Sequence, residues 1–211
     1  MSRSLPVLLA CQSYFSEGRS TVSPRRLVQE ATRQGFETVG LADWCSVAGA
    51  VELCEAAREA GVGALIGVTL PVRFPAPPRS SHATEAFPLV LLARSREGYA
   101  LLCELITHRH LESPDGVPLT VLQAVAARGR NHLTCLTGGR TGFPTILGER
   151  REIARAAGYL RTLRAMFPFD LYLGVTPVAT RKPTLSFQRL PLLWPGGVSK
   201  WAQGPLRERR R

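Results

Sequence analysis

The chain has 211 residues, 45% of which are hydrophobic, and it carries a formal net charge of +11 at pH 7. Its length predicts one domain with room for an appendage, and its hydrophobic fraction is normal for a globular core. No apolar run approaches the roughly 18 residues that a membrane-spanning helix requires, which argues against a membrane protein. The charge is uneven, because residues 176–211 contain eight basic residues and one acidic residue.

The N-terminus and the cysteines both favour a cytoplasmic protein. Residues 8–11 (LLAC) resemble a lipoprotein cleavage box, but only Arg3 precedes them as a basic residue. The apolar stretch is also shorter than the roughly 7–15 residues of an export signal, so we predict a buried strand there. The five cysteines are scattered and form no Cys-x-x-Cys pair, which is typical of reduced thiols rather than of disulfides or a zinc site. We expect Cys54 and Cys103 to lie on apolar helix faces.

Apolar strands alternate with amphipathic helices along most of the chain. Ser23 and Pro24 are typical of a helix start, and Gly35 and Gly61 are typical of helix ends. Residues 73–87 are rich in Pro, Ser and Ala, which predicts a surface insertion. Strands are predicted at 5–10, 38–42, 64–72, 88–93, 132–136 and 170–175, and helices at 24–34, 47–60, 96–111, 119–127 and 149–166. This alternation implies parallel strands with right-handed crossovers.

The alternating pattern is lost after Val175. Five prolines, two tryptophans and a terminal arginine run replace it, so we predict a folded domain over 1–175 and an irregular or disordered basic tail over 176–211. The tail could bind nucleic acid electrostatically, and non-native sequence from a frameshift or a premature end explains it equally well. The basic residues assigned to such binding are Arg181, Lys182, Arg207, Arg209, Arg210 and Arg211.

Residues 35–53 carry the strongest functional signal. A helix ends at Gly35, a short apolar strand follows, Asp43 lies where that strand stops, and a tight turn leads into the next helix. In α/β folds with parallel strands, functional residues are placed at this carboxyl end of the strands. Asp43 is therefore the first candidate for a site residue.

This segment resembles the polymerase-and-histidinol-phosphatase (PHP) domain at the start of bacterial DNA polymerase III alpha subunits and their error-prone relatives. The family reads roughly G-hydrophobic-A-L-T-D-H-G-x-x-x-G-A-V here, and Asp43, Gly49, Ala50 and Val51 match it. Further matches, in the family's order, are LVLLARSREGYALL at 89–102, LTGGRTG at 136–142 and LYL at 171–173. The resemblance implies an α/β fold, namely an incomplete, distorted (β/α)7 barrel with parallel strands and an irregular basic C-terminal tail.

Active PHP domains hold two or three metal ions with His, Asp, Glu and Cys at strand ends and hydrolyse phosphoesters. Imidazole and carboxylate groups suit such ions, which polarise the phosphoryl group and generate hydroxide. In this chain only Asp43 keeps a ligand type. The other ligand positions fall on Ala10, Gln12, Trp44, Thr69, Pro88 and Gly139. The resemblance therefore implies a metal-free domain without a cofactor, in which Mn, Zn or Mg binds only if the degenerate site still functions.

Two of these residues have alternative interpretations. Asp43 is either a lone retained metal ligand or a helix cap that accepts backbone amides of the turn at 44–47, and the sequence favours the cap. Trp44 either fills the space that a histidine and metals occupy in active relatives or offers an aromatic platform to a nucleotide base. The glycines at 138–142 favour a tight turn over a phosphate cradle. His108 and His110 favour helix-end charge over a metal site.

The resemblance favours a non-catalytic scaffold or interaction module in DNA replication or translesion repair, or the remnant of a split gene, with no polymerase active site in this chain. Residual metal-dependent phosphoesterase or 3′–5′ exonuclease activity is one alternative, and a basic nucleic-acid-binding module is another. The expected partners are DNA, a DNA polymerase or other replication and repair proteins. Because an incomplete barrel leaves strand edges exposed, we expect a partner or a second copy to stabilise the fold.

Overall fold

The computed structural model describes residues 7–75, 84–129, 131–175 and 186–189. The strands are β1 (Val7–Cys11), β2 (Thr38–Trp44), β3 (Gly63–Pro75), β4 (Thr84–Ala93), β5 (Val117–Pro118), β6 (Leu133–Leu136), β7 (Leu171–Val175) and β8 (Ser186–Arg189). The helices are α1 (Pro24–Arg33), α2 (Ala50–Ala60), α3 (Arg96–Leu111), α4 (Leu119–Arg128), α5 (Phe143–Glu149) and α6 (Ile153–Met166), with a 3₁₀ turn at Gly139–Thr141. No helix in this part of the chain is long and apolar enough to cross a membrane.

One curled sheet organises the fold. The strand order is β1-β2-β3-β4-β6-β7-β8, and the short β5 pairs with β3 at its side. This mixed α/β half-barrel confirms the predicted incomplete barrel. The prediction of parallel strands is right for the pairs β1–β2, β2–β3 and β6–β7. It is wrong for β4, which runs antiparallel to both of its neighbours. Only eight residues separate β3 from β4, fewer than the dozen or so that a parallel crossover needs.

The hairpin of β3 and β4 corrects the predicted surface insertion at 73–87. Both strands extend into this segment, and Phe74 and Phe87 are buried. The ring of Phe74 lies 4.5 Å from that of Tyr159 and 5.3 Å from that of Phe143, measured between centroids. The two phenylalanines therefore belong to the core. Residues 76–83, between the strands, lie outside the described residues.

Two further elements differ from the predictions. The helix predicted from residue 149 begins at Ile153, because Arg151 adopts a φ of 60° and separates α6 from the additional helix α5. Cys54, predicted on an apolar helix face, is exposed, and Cys103 is half-buried. Helix α2 instead buries Leu53, Ala56 and Ala57.

The predicted tail contains a strand that the sequence pattern did not indicate. β8 pairs antiparallel with β7, joining Val175 to Ser186 and Tyr172 to Arg189 in register. The six basic residues assigned to nucleic-acid binding (Arg181, Lys182, Arg207, Arg209, Arg210 and Arg211) lie outside the described residues. The domain boundary at residue 175 stays a prediction.

The helices cover one face of the sheet and leave a smaller apolar cluster on the other. The main core joins β3 and β4 to helices α3 to α6, and a second core joins β2 to α1 and α2. On the opposite, inner face, Ala42, Val90, Leu92 and Leu136 form a third cluster. The helices thus stabilise the sheet mainly from its outer face. The candidate site lies at the ends of the strands.

A close approach of α3 to the chain entering β6 generates the first prediction. A Cβ at Gly98 would lie 2.1 Å from the backbone oxygen of His132, so the two backbones must separate to admit it. We expect Gly98→Ala to lower the free energy of unfolding by about 1–3 kcal/mol. Gly158→Ala, in α6 with nothing near its Cβ position, should raise it by about 0.5–1 kcal/mol. Urea denaturation of both variants checks this, and equal stability of the two would contradict it.

Candidate functional site

The strand ends bring together the positions that correspond to the ligand positions of active PHP domains. In the sheet register Trp44 lies beside Thr69, and Thr69 lies beside Val90 of the antiparallel strand β4. Because β4 runs in the opposite direction, its first half, with Pro88, lies at the end where β2 stops. The turn containing Gly139 follows β6 at the same end. Trp44, Thr69, Pro88 and Gly139 therefore lie at the same end of the sheet.

The Asp43 carboxylate is buried and accepts three hydrogen bonds. Only 1% of the residue is exposed. Its Oδ1 accepts hydrogen bonds from the Ser13 backbone amide at 2.6 Å and from the Ser16 hydroxyl at 2.6 Å, and its Oδ2 accepts one from the Ser13 hydroxyl at 2.7 Å. Both serines are fully buried. Short hydrogen bonds to a charged acceptor are among the stronger ones in proteins, so they fasten the first loop to the end of β2.

The helix-cap interpretation of Asp43 is wrong. The amides of the following turn bond elsewhere: that of Trp44 donates to the Ser16 hydroxyl and that of Cys45 to the Thr69 carbonyl, both at 2.9 Å. Gly49 is the N-cap residue of helix α2, and no side chain caps the helix there. The carboxylate thus bonds across 27 and 30 residues of sequence rather than to its own turn.

Sequence reasoning missed the role of Ser13 and Ser16. The available signal was the pair of serines, three residues apart, in a loop that follows a strand end. That pattern does not reveal the carboxylate that the two hydroxyls bind.

The other ligand positions supply poor metal donors. The hydroxyl of Thr69 donates to the Ala42 carbonyl at 2.8 Å, and so ties β3 to β2. Ala10, Pro88 and Gly139 have no donor side chain. Within residues 7–75, 84–129 and 131–175, no three His, Cys, Asp or Glu side chains lie close enough together to hold a metal ion.

Cys11 is a nearby thiol, but its chemistry is also unsuited to a metal. Burial, and secondarily the negative charge of Asp43, raise the pKa of the Cys11 thiol to about 11. Because metal binding at a thiol releases its proton, the raised pKa makes metal binding at Cys11 less favourable. Hard or borderline cations need several oxygen or imidazole donors, so the residues present do not fit the metal cluster of active PHP domains.

Trp44 partly fills the end of the sheet. It is half-buried against the main core, and the guanidinium of Arg19 lies 3.6 Å from the centroid of its ring. This distance is that of a cation–π contact. A nucleotide base could reach that face of the indole only by displacing Arg19. The filling interpretation thus describes the observed contacts better than the platform.

The C-terminal end of α3 contacts the turn that follows β2. The Nε2–H of His110 donates to the backbone carbonyl of Cys45 at 2.9 Å. His108 instead contacts Ser113 and Glu112, so the two histidines do not form a joint metal site. Cys45 is buried and adopts a φ of 53°.

The glycine-rich segment at 138–142 forms a tight turn. Gly138 adopts a φ of 79°, and a Cβ there would lie 2.4 Å from the Pro88 carbonyl oxygen. At Gly142 a Cβ would lie 1.8 Å from the Thr137 carbonyl oxygen. These approaches explain the glycines structurally and favour the tight-turn interpretation.

Residues 9–177 match the PHP domain family. The chain belongs to that family. It is 39% identical over 126 residues to an error-prone DNA polymerase of Burkholderia mallei. This match covers 58% of this chain and 12% of the polymerase. It is 40% identical over 174 residues to the error-prone DNA polymerase of Bordetella parapertussis, covering 80% and 15% respectively. The PHP chain thus spans less than a sixth of the length of either relative.

Similarity to solved structures is weaker. An amidohydrolase from Chromobacterium violaceum is 22% identical, with a TM-score of 0.35, and the match covers 49% of this chain and 34% of that one. Similarity at this level is too low to inform the function of the PHP domain. The family assignment therefore depends on the sequence comparison.

The hydrogen bonds of Asp43 generate the second prediction. Ser13→Ala and Ser16→Ala each remove a hydroxyl donor from a buried carboxylate, and each should lower the free energy of unfolding by about 1.5–3 kcal/mol. Ser20→Ala is the matched control, because its hydroxyl only accepts a 3.3 Å hydrogen bond from the Val22 amide at an exposed site. Urea denaturation measures all three. An effect of Ser20→Ala as large as those of the two buried serines would contradict the assigned role.

Proposed function

We propose that this chain is a non-catalytic, metal-free PHP domain that serves as a scaffold or interaction module in DNA replication or translesion repair. One observation carries the proposal. The carboxylate of Asp43 at the family's ligand position is buried and accepts three hydrogen bonds from Ser13 and Ser16.

Metal binding at Asp43 would have to compete with these hydrogen bonds. A cation would displace donors from the carboxylate and leave buried hydroxyl or amide groups unpaired, at a cost of about 1–3 kcal/mol each. The neighbouring positions, occupied by residues such as Trp44 and Thr69, offer little coordination in return. Since loss of even a single outer-shell partner weakens metal sites about 10–100-fold, loss of most direct ligands predicts no useful affinity.

The replication and repair context comes from the relatives. Both polymerases named above are error-prone DNA polymerases, and this chain is similar to a small part of each. We infer that its partners are a DNA polymerase or another replication or repair protein, together with DNA, and that it acts in the cytoplasm. A residual phosphoesterase would need metal ligands that the described residues do not supply, so the scaffold is the better-supported function.

The third prediction concerns metal content. After incubation with Mn²⁺, Zn²⁺ and Mg²⁺ and desalting, elemental mass spectrometry should find far less than one metal ion per chain. Hydrolysis of a generic phosphodiester should not exceed that of Asp43→Asn, which keeps the shape of the side chain but removes its charge.

The matched positive control restores imidazole at the corresponding positions in a triple variant, Ala10→His, Gln12→His and Trp44→His. This variant tests whether the missing imidazole donors limit metal binding. A stoichiometric ion in the unaltered protein that is lost in Asp43→Asn would overturn the proposed function and point to phosphoesterase chemistry.

The fourth prediction concerns stability. Strand β1 ends the sheet order on one side, and a strand edge is a surface on which another chain can pair. We expect the thermal midpoint to rise with protein concentration, as it does when association stabilises the folded state. Calorimetry over a hundredfold concentration range, with sedimentation to measure mass, tests this. A monomer with a high and concentration-independent midpoint would contradict it.

A further inference from the structure

An open groove separates two helices on the outer face of the sheet. Helix α2 packs on β2 in the second core, and α3 packs on β3 and β4 in the main core. The groove between them has a volume of about 570 Å³, which is within the range of ligand-binding clefts. Its floor includes Ile66 of β3 and Ala93 of β4, both only partly buried. The two cores therefore meet along an apolar surface that is open to solvent.

Both walls of the groove contribute apolar side chains. Val51 and Cys54 of α2 line one wall, and both are exposed, Val51 to 69%. Tyr99 of α3 lines the other wall and is partly exposed. Helix α2 turns different residues, such as Leu53, to the core. An exposed valine grouped with other apolar residues in a groove is typical of a surface that another chain covers.

The charged residues of the groove are concentrated at one end. Arg58 lies in the last turn of α2, and Arg96 is the first residue of α3. Both line the groove, together with Glu55, which lies one turn before Arg58 on α2. The lining therefore carries two positive charges and one negative charge. This end of the groove is complementary to an acidic partner and repels a basic one.

The basic end of the groove lies away from the candidate site. Arg58 precedes the start of β3, and Arg96 follows the end of β4. Asp43 lies near the end of β2, which is parallel to β3, while β4 is antiparallel to β3. The start of β3 and the end of β4 are thus at the opposite end of the sheet from Asp43. A partner bound there does not need to contact the candidate site.

We propose that this groove binds an acidic amphipathic helix of a partner protein. The apolar stripe of that helix packs against Val51, Ile66 and Tyr99. Its acidic residues pair with Arg58 and Arg96. A helix fits because the walls of the groove are helices packed on the same sheet, and helix-in-groove recognition uses apolar side chains at i, i+3, i+4 and i+7. This inference rests on the proposed function and deepens it, because it gives the interaction module a surface and a class of partner.

Two other occupants fit the groove less well. Residues 176–211 of the same chain contain eight basic residues and one acidic residue, so their charge does not complement the two arginines. A second copy would have to present a different surface, because a concave surface does not fill an identical one in an isologous contact. Charge and shape therefore favour a different, acidic chain.

Fluorescence anisotropy with a labelled synthetic peptide tests the proposal on the full chain. The peptide has about five helical turns, with leucines along one face and glutamates elsewhere. Val51→Asp should weaken binding about tenfold or more, because burial of the valine is lost and a like charge is added. Ile153→Asp is the matched control, since Ile153 is 64% exposed on α6 and lies outside the groove. It should change the affinity little.

A second arm separates the groove from the general positive charge of the protein. A peptide with the same leucines but with lysines in place of the glutamates should bind more weakly. The double variant Arg58→Glu, Arg96→Glu should narrow or reverse this preference. The double variant Arg26→Glu, Arg161→Glu changes the net charge equally at exposed positions on α1 and α6 and should leave the preference in place.

Cys54 reports directly on occupancy of the groove. Saturating glutamate peptide should slow the alkylation of this exposed thiol by iodoacetamide several-fold, as measured by mass spectrometry of its tryptic fragment. Cys11, on β1, is the control within the same molecule, and its alkylation should not change.

Unchanged affinity in Val51→Asp, or unchanged alkylation of Cys54 at saturating peptide, would overturn the proposal. Protection of Cys54 at high protein concentration without peptide would also overturn it, by assigning the groove to a second copy. Equal loss of the peptide preference in both double variants would reduce the binding to net charge and count against the groove. Failure of the proposed function appears in the metal content of the protein, which peptide binding does not measure, so the two failures are distinguishable.

Discussion

The buried carboxylate of Asp43 is the constraint on which this end of the protein depends. A charged group that is 1% exposed must be compensated by hydrogen bonds or by another charge, because desolvation is otherwise prohibitive. In this chain Ser13 and Ser16 provide that compensation. The same contacts tie the first loop, which carries Arg19, to the end of β2.

The hydroxyl donors to Asp43 and the missing metal ligands around it are consistent with each other. In a metal site, cations neutralise the carboxylate and neighbouring ligands complete their coordination. Here the neighbouring positions are apolar, aromatic or hydrogen-bonded within the sheet, as at Thr69. The hydroxyls of Ser13 and Ser16 donate hydrogen bonds to the carboxylate oxygens in place of metal ions.

Aromatic packing holds the outer layer of the half-barrel together. The aromatic cluster of Phe74, Phe87, Phe143 and Tyr159 links the β3–β4 hairpin to α5 and α6. Arg155 reinforces it through an ion pair with Glu85 at 2.7 Å. Phe87 precedes Pro88 and Phe143 follows the glycine-rich turn, so the aromatic cluster packs directly beside the strand ends.

The sequence by itself determined the family, the order of the elements and the place of Asp43 at a strand end. Strands and helices follow from apolar periodicity and from end signals such as Ser23 and Gly61, which act over a few residues. Only the tertiary structure decided that β4 runs antiparallel, that Ser186–Arg189 pairs with β7 and that Asp43 binds Ser13 and Ser16. Hydrogen-bond partners separated by about 30 residues depend on how the sheet curls. A sequence pattern of a few residues does not predict that curvature. The nearest backbone amides were therefore the natural but wrong partners to predict for Asp43.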